Sequence, residues 1–204
     1  MKKLFVLVFL VIFSFNMIGC RKNTNVIDVA DKKKDITVLS EVIEEIKQPL
    51  ELTFSSGVGG WYNSVVLNSD GTFKGHYQDT DMGTFGGDYP DGTVYICDYH
   101  GKFGEFKKVD ETTYKLTLKE LNTTTQKEAW IKDKIMYVPS SPYGIEDGEE
   151  FILYMPGTEK KNLPEYIRDS WQLEGYMQQS KEAGKIPCYI LFNPATESEF
   201  YSNN

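Results

Sequence analysis

Histidine and cysteine are scarce: the 204-residue chain has two of the first and three of the second. No two cysteines stand at Cys-x-x-Cys spacing, so the ligand set of a structural zinc site is missing. Arginine occurs only as Arg21 and Arg168. Acidic residues outnumber basic ones by 30 to 22, and the formal charge of −8 excludes nucleic-acid binding through the net field. The hydrolase signatures Gly-x-Ser-x-Gly, His-Glu-x-x-His and Ser-x-x-Lys are all absent. Long apolar runs are also wanting. The longest, residues 4–18, is interrupted by Ser14 and Asn16 and falls short of the roughly 20 residues a spanning helix needs.

That run nevertheless sets an address. Lys2 and Lys3 precede it, and the small residue Gly19 stands before Cys20, the layout of a secretory signal peptide. Met17-Ile18-Gly19-Cys20 resembles the bacterial lipobox, whose cysteine is diacylated and becomes the mature N-terminus. The resemblance implies a lipid on Cys20, a membrane partner through that lipid, and a place on the extracytoplasmic face of a bacterial membrane. Two acyl chains suffice for stable anchoring where one binds only marginally.

Three segments are expected: a signal peptide over 1–19, a lipidated cysteine with a flexible tether over 20–49, and a single domain over 50–204. Residues 21–36 are charged without apolar period, and 37–47 could form a short amphipathic helix before Pro49. Apolar content of 40% and aromatic content of 14% are ample for a packed core.

From residue 50 the apolar period becomes two. Trp61, Asn63, Val65 and Leu67 alternate with polar or outward residues, Asn68-Ser69-Asp70-Gly71 forms a turn signal, and Phe73, Gly75 and Tyr77 alternate again. This is a β-hairpin. A strand at 93–99 carries Thr93, Tyr95, Cys97 and Tyr99 on one face. A turn at His100-Gly101-Lys102 leads to a strand over 103–107, and others follow around Tyr114–Leu118, over 130–138 and over 151–155. Pro164, Tyr166, Ile167 and Trp171 suggest one helix, and 188–192 a late strand. The fold class is mainly β: an antiparallel barrel or sandwich in meander order, with one or two short helices near the C-terminus.

The ordered motifs Ser55-Ser56-Gly57-Val58-Gly59-Gly60-Trp61, Asp70-Gly71-Thr72-Phe73-Lys74-Gly75, Asp79-Thr80-Asp81-Met82-Gly83 and Tyr89-Pro90-Asp91-Gly92-Thr93 resemble a family of uncharacterised lipoproteins from clostridia-like Gram-positive bacteria. Gly59-Gly60-Trp61 is also similar to the Gly-x-Trp of the first lipocalin strand, which implies a lipocalin-like barrel. The arginine that lipocalins place late in the barrel has no counterpart on the last strands here.

Several constellations could carry chemistry. The loop 79–92 holds Asp79, Asp81, Asp88 and Asp91 among four glycines, so it could offer oxygens to calcium as a cofactor or simply form turns. Cys97 and Cys188 could be bridged in an oxidising compartment or stand as buried thiols. Cys97 and His100, three apart on a strand, face opposite ways and make no catalytic pair. Trp61, Tyr77, Tyr95 and Tyr99 could line a pocket or fill the core. The expected function is a non-catalytic, lipid-tethered binding module that captures a small ligand or protein partner outside the cell. The alternatives are an envelope interaction protein without a small ligand, or a hydrolase using carboxylates between Asp79 and Asp91.

Overall fold

The computed structural model describes residues 49–202. The signal peptide, Cys20, the tether and the helix expected at 37–47 lie outside the described residues. Ten strands run in chain order: β1 (Leu50–Ser55), β2 (Trp61–Leu67), β3 (Thr72–Asp81), β4 (Thr93–Lys108), β5 (Thr113–Thr123), β6 (Trp130–Lys132), β7 (Ile135–Pro139), β8 (Glu150–Tyr154), β9 (Ile190–Asn193) and β10 (Ser198–Ser202). Two short helices, α1 (Glu165–Arg168) and α2 (Trp171–Met177), separate β8 from β9.

Eight strands close a barrel. Around the wall β1, β2, β3, β4, β5, β8, β9 and β10 follow one another as antiparallel neighbours, and β10 returns to β1. This is an up-and-down antiparallel barrel, as the meander pattern predicted. The hairpin β6–β7 is an insertion, attached through parallel pairing of β7 with Thr93–Ile96 of β4.

The hairpin β2–β3 shows how local chemistry sets the register. Asp70 Oδ1 accepts from Thr72 N at 3.0 Å and from Thr72 Oγ1 at 2.6 Å, and those bonds hold its carboxyl below the usual range. Gly71 takes φ +80°, which glycine adopts without Cβ strain. Strand pairing then runs unbroken from Leu67–Phe73 to Trp61–Asp79.

Three local expectations are corrected. His100-Gly101-Lys102 is no turn, because β4 continues through it as one 16-residue strand with a bulge beyond Lys102. Gly101 serves close approach instead: a Cβ there would overlap the ring of Phe73 and the carbonyl of Glu120. The stretch 130–138 folds back on itself, with Asp133 and Lys134 both at positive φ (51° and 65°) in the turn between β6 and β7. That is the twist of a two-residue hairpin loop, reached without the Asn-Gly signature. The single helix expected after Pro164 is two, divided at Asp169-Ser170, where Ser170 Oγ accepts from Leu173 N and restarts the helix.

Eight strands enclose a lumen that side chains can fill or that can hold one small ligand. Here it is filled. Phe73, Tyr99, Phe103, Phe106, Phe151 and Phe200 are buried within one cluster, with Leu and Val residues between them. A second cluster lies outside the wall, where Ile167 of α1 and Leu173 of α2 cover Tyr154, Ile190, Phe192 and Tyr201. Leu153, Leu191 and Phe200 face inward while their chain neighbours face the helices, so β9 and β10 are buried on both sides. Leu50 and the β2–β3 turn mark one end of the barrel, and Ser55, Trp61 and Asp81 the other.

Candidate functional site

The end marked by Ser55 and Trp61 is where the chain builds its most distinctive surface. A loop over 140–149 enters the mouth and is held by two buried asparagines of the wall. Asn63 Nδ2 donates to Tyr143 O at 2.6 Å. Asn193 Nδ2 reaches Gly144 O at 3.0 Å and Glu146 O at 3.2 Å. Asn63 Oδ1 in turn accepts from Tyr99 OH at 2.6 Å, deep in the barrel. Gly144 has φ +87°, and a Cβ there would stand 3.0 Å from Phe54, so both backbone angle and space favour glycine at this point of the loop. Ile145 is driven fully into the core.

Fixing that loop sets Tyr143 among three aromatic rings. Its centroid lies 5.8 Å from Phe54, 5.4 Å from Trp61 and 5.7 Å from Tyr77, while Phe54 and Trp61 meet edge-on at 4.7 Å. Tyr143 as a whole remains 43% exposed. Opposite stands the helical pair. Trp171, 64% exposed, lays its ring over Gly57, and Gln172 Nε2 donates to Ser55 O at 2.7 Å, tying α2 to the end of β1.

Between these two aromatic walls opens a cleft of about 620 Å³ that straddles the barrel rim. Its polar lining is one-signed, with Glu165, Asp169 and Glu199 and no lysine, arginine or histidine. Glu199 is 3% exposed and accepts from Tyr201 OH, which also meets Ser170 Oγ at 3.0 Å. Burial raises the Glu199 carboxyl above its usual value, partly offset by the Tyr201 and Ser170 hydroxyls. Burial, with the charges of Glu199 and Glu197, also pushes up the Tyr166 phenol beside it. Ser56 Oγ, a buried atom of the same lining, finds no hydrogen-bond partner among the described residues.

The residues singled out from sequence divide. Trp61 lines the cleft. Tyr77 and Tyr99 are buried core, with phenols pushed up chiefly by burial (Tyr77 to about 12), and Tyr95 is half-buried opposite Asp79 in the ladder. Tyr143, Tyr166, Trp171 and Glu199 were not foreseen.

The acidic loop spends its best ligand on itself. Asp81 accepts from Gly83 N at 2.8 Å, Thr84 N at 3.2 Å and Thr84 Oγ1 at 2.7 Å, and those bonds, the Thr84 hydroxyl first, lower its carboxyl. Asp79 lies within β3, whereas Asp88 belongs to a turn closed between Gly86 and Tyr89 and Asp91 N donates to Lys134 O. Among the described residues no three His, Cys, Asp or Glu side chains gather as a metal site.

Cys97 and Cys188 are free thiols rather than a bridge. The reason is topological: Cys97 belongs to the cluster inside the barrel and Cys188 to the one outside it, with the wall between them. Burial pushes them to about 11 and about 12 respectively. Cys97 faces in and His100 out, as strand alternation requires.

Comparison with family models, curated proteins and solved structures returned no match. The fold and the cleft therefore define the protein as far as its class: a closed eight-stranded antiparallel β-barrel with a filled interior and an acidic, aromatic cleft at its mouth.

Proposed function

We propose that the protein is a lipid-anchored, extracytoplasmic binding module whose ligand occupies the cleft at the barrel mouth. The observation that carries this reading is the pairing of a filled lumen with the open cleft between Tyr143 and Trp171. A ligand has no room inside the barrel, while exposed rings at the rim leave costly apolar surface in water unless something covers it. The cleft is of a size common to small-molecule sites. Leu50, near the start of the described residues, stands at the end of the barrel opposite the cleft.

The test has two arms. Palmitate labelling of cells expressing the chain should be lost in Cys20→Ser. The unfolding midpoint of the full chain should rise with members of a panel of amines, saccharides and short peptides, and not rise in Trp171→Ala, since a ligand that binds only the native state stabilises it by mass action. A panel without effect on the unsubstituted protein would remove the cleft as a ligand site. The second reading, an envelope interaction protein, draws on the exposed Val58, Met82 and Phe85 in the loops at the same end. It gains ground if the panel fails.

A further inference from the structure

We infer that the cleft takes an organic cation, an ammonium group flanked by apolar carbon, held between aromatic faces and carboxylates. This rests on the proposed binding site and adds the chemistry of its occupant.

Charge and shape both favour such an occupant. Trp61 and Tyr143 furnish one aromatic wall, Tyr166 and Trp171 the other, and ring faces carry the negative side of the quadrupole. Glu165 is exposed at the lip and forms no ion pair among the described residues, while Glu199 lies buried at the wall with hydroxyl partners only. Neighbouring cations are already paired: Arg168 Nε sits 3.4 Å from Asp169 of the lining itself, Lys160 pairs with Glu174 at 3.1 Å, and Lys161 with Glu159 at 3.8 Å. That leaves Glu165 and Glu199 as the carboxylates that would meet a cation. An anionic ligand would meet only like charge in this lining. A cation would offset the desolvation that raises the Glu199 carboxyl. Ser56 Oγ would accept a hydrogen bond from the ligand's polar end. The protein as a whole, at −8, draws cations toward it.

The probes are choline, its uncharged isostere 3,3-dimethylbutan-1-ol, and a neutral disaccharide, titrated into the full chain in non-ionic detergent while tryptophan emission is followed. Choline should saturate the signal, the isostere should bind at least tenfold more weakly, and the disaccharide should have no effect. Glu165→Gln and Trp171→Ala, both at exposed positions, should each weaken choline at least fivefold while circular dichroism shows the variants folded. Equal binding of choline and its isostere would overturn the cation and leave the site standing. Saturation by the disaccharide alone would do the same. Silence from all three, together with no shift across the wider panel, would remove the site as well.

Discussion

Tyr99 lays its ring across the bare Cα of Gly75, its partner in the β3–β4 ladder, leaving no room for a methyl group. The same ring carries the hydroxyl that donates to Asn63. A substitution as small as Gly75→Ala therefore reaches the mouth of the barrel. The ring must swing and its hydrogen bond must lengthen or break. Overpacking of this kind costs about 1–3 kcal/mol. Urea unfolding should show that loss, and less additional loss when Gly75→Ala is combined with Tyr99→Phe, because the bond is then already gone.

Asn63→Leu removes the partner of Tyr99 OH and of Tyr143 O at once. Leaving buried groups unpaired costs about 1–3 kcal/mol each, so the variant should be among the least stable single changes in the barrel. Trp61 emission should shift as well, since Tyr143 is fixed beside it through this asparagine.

Stability should fall with rising pH on account of Glu199. Its folded carboxyl lies above the ordinary 4.5, so the favourable contribution is complete below that value and is lost as pH rises through the folded pKa. Glu199→Gln keeps an acceptor for Tyr201 OH and cannot titrate. Unfolding free energies between pH 4 and pH 8 should decline less steeply in the variant, and equal slopes would show that another group carries the dependence.

Cys97 and Cys188 should resist iodoacetamide in the native protein at pH 8. With thiols near 11 and 12 and buried on either side of the wall, neither offers thiolate to the reagent. Peptide mapping should find both labelled only after unfolding, with or without prior reductant.

Calcium and chelator should leave the unfolding midpoint unchanged, and Asp81→Ala should not alter that result. Asp81 already uses its carboxylate to shape the loop through Gly83 and Thr84. A calcium-dependent rise abolished by Asp81→Ala would establish the loop as a metal site.

Alternation made the barrel legible. The inward set Trp61, Asn63, Val65 and Leu67 and the turn at Asn68–Gly71 are visible from residue type alone, because a strand's period and an Asx turn are local. What escaped is what depends on closure. β10 reads as polar, with Ser198 and Glu199 at its start, and becomes a buried strand only because β1 and β9 flank it and the helices cover it. The cleft has the same character. Trp61, Tyr143, Tyr166 and Glu199 come from four separated segments, and no spacing links them. Trp171 alone gave a local hint, being a large ring where the short helix is otherwise turned to water.

Asn63 and Asn193 grip the mouth loop by carbonyl oxygens of Tyr143, Gly144 and Glu146, atoms that every amino acid supplies. Gly144 is constrained by its backbone angle and Ile145 by its place in the core, but position 143 itself is held through its carbonyl and not through its side chain. Position 143 is thus an exchangeable display site: a lineage or a designer can rewrite what the barrel recognises there while the scaffold keeps its shape.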